Sequence, residues 1–195
     1  MLSSPLSATP SPAVPHSSPV SPPSWQTADH LSPAPPPPVS AWLFDQGSLT
    51  QRLTALADGA FAVQPLAEGW QVLREDECRA LGLESGSEGW VREVYLRGEG
   101  APWVFARSVA PRDALQASGL GLRELGERSL GELLFSDRAF ARGALHACRY
   151  PAAWLPAAVA GEGLWARHSR FDRGPLAVLV AEVFLPALWR RVGLA

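Results

Sequence analysis

The stretch WVREVYLRGEGAPWVFARSVA, residues 90–110, decides the fold. Residues 90–97 and 103–110 are rich in β-branched and aromatic side chains. The segment Gly98-Glu99-Gly100-Ala101-Pro102 between them suits an antiparallel hairpin, and Pro111 closes the second strand. Side chains alternate across a strand, so Trp90, Arg92, Val94 and Leu96 share one face while Val91, Glu93, Tyr95 and Arg97 share the other. On the second strand Trp103, Phe105, Arg107 and Val109 lie together. The expectation is that Arg92 and Arg107 both point toward the core side. Two guanidinium groups there repel each other. An anion between them relieves the repulsion, because a planar guanidinium grips a carboxylate through two parallel hydrogen bonds.

Residues 176–185 carry the same kind of interruption. Every residue but Glu182 is apolar, and Glu182 shares its face with Leu176, Val178, Val180 and Phe184. Burying an unpaired carboxylate costs on the order of several kcal/mol, so the group pairs with an arginine, takes a proton, or meets a ligand. A buried ion pair without chemistry competes equally with a ligand site on this pattern alone. Two arginines against one glutamate leave a cationic surplus that favours a ligand bearing more than one carboxylate.

Working outward, Ser48 reads as the cap of a helix over 49–57 that Asp58-Gly59 ends, and 75–81 as a short helix. Residues 61–65 and 70–73 have strand character around a turn at Glu68-Gly69. Residues 113–117 and 129–135 read as helices, the second with a Ser129 cap and Glu132 placed as in a capping box. Residues 140–150, 164–171 and 176–185 complete a mainly antiparallel sheet, with a turn at Asp172-Arg173-Gly174. Strands with segregated helices define an α+β fold, a single sheet flanked by helices.

Composition narrows the function. With 195 residues, 47% hydrophobic and 18% charged, the chain supports one domain with a sizeable core. Residues 1–39 hold twelve of the nineteen prolines and one formally charged side chain, Asp29, which predicts a disordered tail before a domain over 40–195. A net charge of -2 argues against nucleic acid or an anionic membrane as partner. All 17 basic residues are arginine, which we attribute mainly to genome composition. Cys78 and Cys148 stand in no metal-ligand or redox spacing, so no metal is expected and a reducing cytoplasm fits. No segment reads as a signal peptide or a spanning helix.

Five short motifs in order resemble the chorismate pyruvate-lyase family: Trp90-Val91-Arg92-Glu93-Val94; Pro102-Trp103 through Ala106-Arg107-Ser108-Val109; Ser129-Leu130-Gly131 with Leu134-Phe135; Leu164-Trp165-Ala166-Arg167-His168-Ser169-Arg170-Phe171; and Pro175-Leu176 through Glu182, Phe184, Leu185 and Pro186. The resemblance covers residues 39–188. It implies an enclosed site under helical flaps, a cytoplasmic monomer with no cofactor, and the conversion of chorismate to 4-hydroxybenzoate and pyruvate at the head of ubiquinone synthesis. It implies that Arg92 binds the ring carboxylate, that main-chain groups at Leu49 and Leu130 help enclose it, that Glu182 meets the ring hydroxyl end, and that Arg107 holds the departing pyruvyl carboxylate. Chorismate carries two carboxylates and loses a ring proton, so Glu182 is a candidate acid/base or orienting group beside Arg92. A closed site further implies slow product release.

The chain departs from the family pattern at Leu49, where methionine is common, and at His168, where a second arginine is frequent. Extra residues occupy 151–161. His168 reads as a surface residue, His146 as structural, and the eight tryptophans as core. The competing class is a non-enzymatic sensor that binds a small aromatic carboxylate on a similar fold. RNA binding through Arg167, Arg170 and Arg173 is disfavoured by net acidity and the lack of interleaved aromatics.

Overall fold

A computed structural model describes residues 21–194. Helices α1 (Pro37–Leu43) and α2 (Leu49–Leu56) precede strand β1 (Phe61–Val72). Then come α3 (Glu75–Leu81), β2 (Glu88–Gly98), β3 (Ala101–Pro111), α4 (Arg112–Ser118) and α5 (Leu130–Ser136). The chain ends with β4 (Ala141–Arg142), β5 (His146–Tyr150), β6 (Leu164–Arg173), β7 (Leu176–Phe184) and α6 (Pro186–Arg191). The strands form one antiparallel sheet in the order β1-β2-β3-β7-β6-β4, and β5 pairs with the remainder of the β6 edge. The fold is α+β with a single antiparallel sheet, as the pattern predicts.

The hairpin closes through Glu99 and Gly100, whose φ values of 52° and 77° are those of a two-residue turn matched to strand twist. Three other expectations are corrected. β1 runs unbroken through Glu68-Gly69, and its irregularity is a bulge between Pro65 and Ala67. The expected strand over 140–150 breaks into β4 and β5 at Gly143, whose N–H turns to Arg170 O at 2.7 Å. The turn after β6 is Gly174-Pro175, since Arg173 still pairs with Leu176.

Both faces of the sheet are covered. On the front face, α1 and α2 bring Leu43, Leu49 and Leu53 against Val94, Leu96, Val104 and Ala106, and α5 brings Leu130 and Leu134 against Phe171, Leu176 and Val178. On the back, Cys78 and Leu81 of α3 pack on Val91, Val109 and Leu179, while Trp25 and Trp154 close over Tyr95, Phe105 and Tyr150. Each fully buried leucine or phenylalanine contributes about 1.5–3 kcal/mol by leaving water.

Ordered packing begins well before residue 40. Gln26 makes a two-bond bridge with Ala147, Trp25 Nε1 donates to Asp76 Oδ2 at 2.9 Å, and the Trp25 ring stacks on His168 at 4.1 Å. The tail reading for 21–39 is therefore corrected, because one tryptophan anchors a segment that composition marks as unable to fold. For residues 1–20 the reading lies outside the described residues. His168, expected at the surface, is 6% exposed beneath Trp25.

Candidate active site

The site is a narrow cavity between the front face of the sheet and two helical flaps. Ser48 caps α2 by accepting from Gln51 N, and Ser129 caps α5 by accepting from Glu132 N, each at 3.3 Å. These caps fix where the helices start and so bring their N-terminal turns together: Thr50 Oγ1 lies 2.8 Å from Ser129 Oγ. Gly131 is required at this junction, because a Cβ there would lie 2.6 Å from Thr50 Oγ1. Beneath the junction the cavity is lined by Leu49, Leu130, Arg92, Glu182, Arg142 and Ser169, with Phe135 and Phe171 as aromatic walls.

Arg92 is 3% exposed. Its Nε donates to Glu68 Oε1 at 2.5 Å, and Nη2 donates to Gly126 O at 2.5 Å and Arg128 O at 3.2 Å. Glu68 is its cross-strand neighbour on β1. These bonds hold the guanidinium plane and leave Nη1 without a partner among the described residues.

Glu182 lines the same cavity with its side chain 15% exposed, and Arg167 Nε donates to its Oε2 at 2.6 Å. Register explains the pair, since Arg167 and Glu182 are opposite residues of β6 and β7. Arg167 is also tied to the segment that ends α1 and follows it: Nη1 donates to Trp42 O and Asp45 O. Arg142 stands on β4, its Nε on Ser169 Oγ at 3.0 Å and its Nη1 on Gln46 O at 3.1 Å and Gly47 O at 3.3 Å. Burial and the charge of Arg167 both lower the Arg142 pKa. Among the described residues no carboxylate comes within ion-pairing distance of it.

Thus Arg92, Glu182, Leu49 and Leu130 meet in one cavity, and Arg107 does not join them. Arg107 faces Glu93 across the hairpin, whereas Arg92 faces Ser108, so the two arginines occupy opposite sides of the sheet. Arg107 is 4% exposed and fully paired: Nε and Nη2 reach Glu77 at 2.6 and 3.1 Å, and Nη1 reaches Glu93 at 2.9 Å. Those two carboxylates raise its pKa against the opposing effect of burial. The error has a physical source. A register shift between Leu96 and Arg97 changes the phase of the hairpin, and a one-residue slip exchanges faces. Because both faces are buried, apolar alternation marks Arg107 as inward without saying which way.

The residues that sequence reasoning missed are Glu68, Arg142, Arg167 and Ser169. Arg167 had a readable signal: it interrupts the Trp165, Ser169, Phe171 face of β6 as Arg92 interrupts β2. Arg142 sits on a two-residue strand, where periodicity carries nothing. Among the described residues there is no group of three or more His, Cys, Asp or Glu arranged to hold a metal, and no helix long and apolar enough to cross a membrane.

A cavity lined by two arginines and a glutamate, closed between a sheet and two capped helices, defines an α+β domain with an enclosed polar site. The fold alone is shared with the C-terminal domain of PhnF, whose crystal structure matches with a TM-score of 0.50 at 15% identity over 67% of this chain and 87% of that one. The sequence goes further. Residues 20–194 match the chorismate lyase family model. The chain is 67% identical over 171 residues to a probable chorismate pyruvate-lyase of Pseudomonas aeruginosa, covering 88% of this chain and 96% of that one. It is 63% identical over 180 residues to a probable chorismate pyruvate-lyase of Pseudomonas fluorescens, covering 92% and 96%. The chain belongs to the chorismate lyase family, and it is a lyase.

Proposed function

We propose that this enzyme converts chorismate to 4-hydroxybenzoate and pyruvate, as a cytoplasmic monomer at the entry to ubiquinone biosynthesis. The observation that carries the reading is the joint presence of Arg92 and Glu182 in one closed cavity of a chain in this family. Arg92, held by Glu68 and the carbonyls before α5, presents its Nη1 edge to the ring carboxylate. First-turn main-chain groups at Leu49 and Leu130 complete the enclosure from the two flaps. Glu182 then lies at the hydroxyl end of the ring, beside the ether that breaks.

In the reaction the ring C3–O bond breaks and the C4 proton leaves, so the ring becomes aromatic. The released enolpyruvate takes a proton on its methylene carbon and becomes pyruvate. Aromatisation already drives this change, and the protein contributes position, exclusion of water and charge at the ether oxygen. Glu182 orients the hydroxyl end and is the side chain placed to accept or return the ring proton. Flaps joined through Thr50 and Ser129 must part for product to leave, which favours slow release and inhibition by 4-hydroxybenzoate.

The test is incubation of the purified protein with chorismate while pyruvate and 4-hydroxybenzoate are followed together. Equimolar appearance of both is expected, with a fast first turnover before a slower steady state. Well-folded protein that releases neither overturns the reading. Arg92→Ala is expected to abolish tight binding of 4-hydroxybenzoate. Full turnover by Glu182→Gln would remove that carboxylate from proton transfer.

A further inference from the structure

Chorismate has a second carboxylate, on the enolpyruvyl group, and Arg107 cannot hold it from the back of the sheet. Three arginines and two carboxylates stand at the cavity side, namely Arg92, Arg142 and Arg167 against Glu68 and Glu182. Arg92 is matched by Glu68 and Arg167 by Glu182. Arg142 alone of the three has no ion-pair partner among the described residues, although it lines the cavity and is partly withdrawn from water. A desolvated cation without a counter-ion is unfavourable unless an anion arrives.

The geometry around Arg142 is that of a prepared anion site. Ser169 Oγ holds Nε, the carbonyls between α1 and α2 hold Nη1, and Phe135 and Phe171 flank the guanidinium at 5.4 Å each. Nη2 is left without a partner among the described residues. Strand order places the three side chains in sequence across the cavity: Arg92 on β2, Glu182 two strands away on β7, and Arg142 two strands further on β4. Glu182 sits between the two arginines.

We propose that Arg142 is the leaving-group subsite, binding the enolpyruvyl carboxylate through Nη2 while Ser169 and the α1–α2 carbonyls fix its plane. The inference rests on the chorismate reading and assigns the second anion of that same site. After the ether breaks, pyruvate is held next to Glu182 by a group whose other bonds run to the flap, so flap opening and pyruvate release draw on the same contacts.

The test separates this inference from the activity itself. Calorimetry compares two non-reacting ligands, 4-hydroxybenzoate and 3-(carboxymethoxy)-4-hydroxybenzoate, which differ by the ether-linked carboxylate. Arg142→Gln keeps an amide to donate to the loop carbonyls but loses the charge. The expected result is a roughly 10- to 100-fold loss of affinity for the dicarboxylate, the range for one charge-assisted contact, with 4-hydroxybenzoate affected less than about threefold. Equal losses for both ligands would make Arg142 a flap anchor only, and no loss for either would make it a bystander; both results overturn the inference. If Arg142→Gln does not fold, Arg142→Met, equally uncharged and close in length, is expected to give the same ratio, and a dicarboxylate preference lost only together with 4-hydroxybenzoate binding overturns the proposal. Turnover of chorismate by the wild-type protein is scored separately, because failure there sinks the functional reading whatever the ligands do.

Discussion

Lowering the pH from 7.5 to 5 should destabilise this protein through one residue, His168. Burial pushes its pKa down to about 3, and neighbouring His146 adds to the effect. Trp25 covers the ring, His146 meets it edge-on at 5.2 Å from β5, and Asp76 and Arg79 of α3 and Arg170 of β6 line the adjoining pocket. The imidazole is neutral in the folded chain and becomes protonated near pH 6.5 once the chain unfolds. The unfolded state therefore binds more protons throughout the window from 6.5 down to about 3, and stability falls as pH falls through it. At pH 5 this single group costs roughly 2 kcal/mol relative to pH 7.5, rising by about 1.4 kcal/mol for each further unit until the folded pKa is reached. Urea unfolding followed by tryptophan fluorescence measures it, with His168→Phe as the comparison, since phenylalanine retains the stack on Trp25 but binds no proton. The wild type should lose roughly 2 kcal/mol more than the variant between pH 7.5 and 5. Parallel losses in the two proteins would show that burial of His168 is not what makes the fold acid-sensitive.

Three further outcomes follow from the packing. Gly131→Ala should force the flaps apart and weaken 4-hydroxybenzoate binding by roughly tenfold, an overpacking penalty of 1–3 kcal/mol, measured by stopped-flow release. Adding Thr50→Ala leaves contacts of 3.4 Å to Ser129 Oγ and 3.6 Å to the Cβ of residue 50 and should restore part of the lost affinity, so a double variant no better than Gly131→Ala contradicts the steric account. Arg107→Met should cost about 3–5 kcal/mol by stranding Glu77, yet leave the Kd of 4-hydroxybenzoate within about twofold; a large change in Kd at unchanged stability would return Arg107 to the site. Trp25→Ala should lower stability by about 2 kcal/mol through loss of the stack and of the bond to Asp76, whereas removing residues 1–19, which precede the family match, should leave Tm and turnover unchanged.

The sequence carried the hairpin, the strand bearing Glu182 and both serine caps, because each rests on local rules: alternation, turn composition and side-chain capping. It carried Arg92 and Glu182 as site candidates for the same reason, each being one charge in an apolar stripe. It missed the facing of Arg107 because register is a relation between strands, and the shift at Leu96 and Arg97 has no compositional mark. It missed the role of Trp25 because proline content describes what a segment cannot do alone, while Asp76 and His168 lie far along the chain. Arg142 was invisible for a third reason. A two-residue strand has no period to break, and only the fold sets it beside Ser169 and the α1–α2 loop.

The charges of the two faces differ in a way that separates stability from function. On the back, Arg107 is satisfied by Glu77 and Glu93, and Arg74 joins the same cluster by donating to Tyr150 Oη at 2.7 Å; burial outweighs the lowering by Arg74 and Arg107 and leaves the tyrosine pKa pushed up to about 12, so its hydroxyl stays protonated at neutral pH. Such a network specifies packing and has no free valence for a ligand. On the front, Arg92 keeps one guanidinium edge open, Arg142 keeps another, and Glu182 is held on one oxygen only. A cavity that captures an anion must leave some buried hydrogen-bonding capacity unspent when empty; the front cavity does so at the donors of Arg92 and Arg142, whereas the open buried atom of Asp76 on the back, Oδ1, is an acceptor and attracts no anion. Counting buried charges therefore finds arginines of both kinds, while the open edges of Arg92 and Arg142 mark the face that carries the cavity.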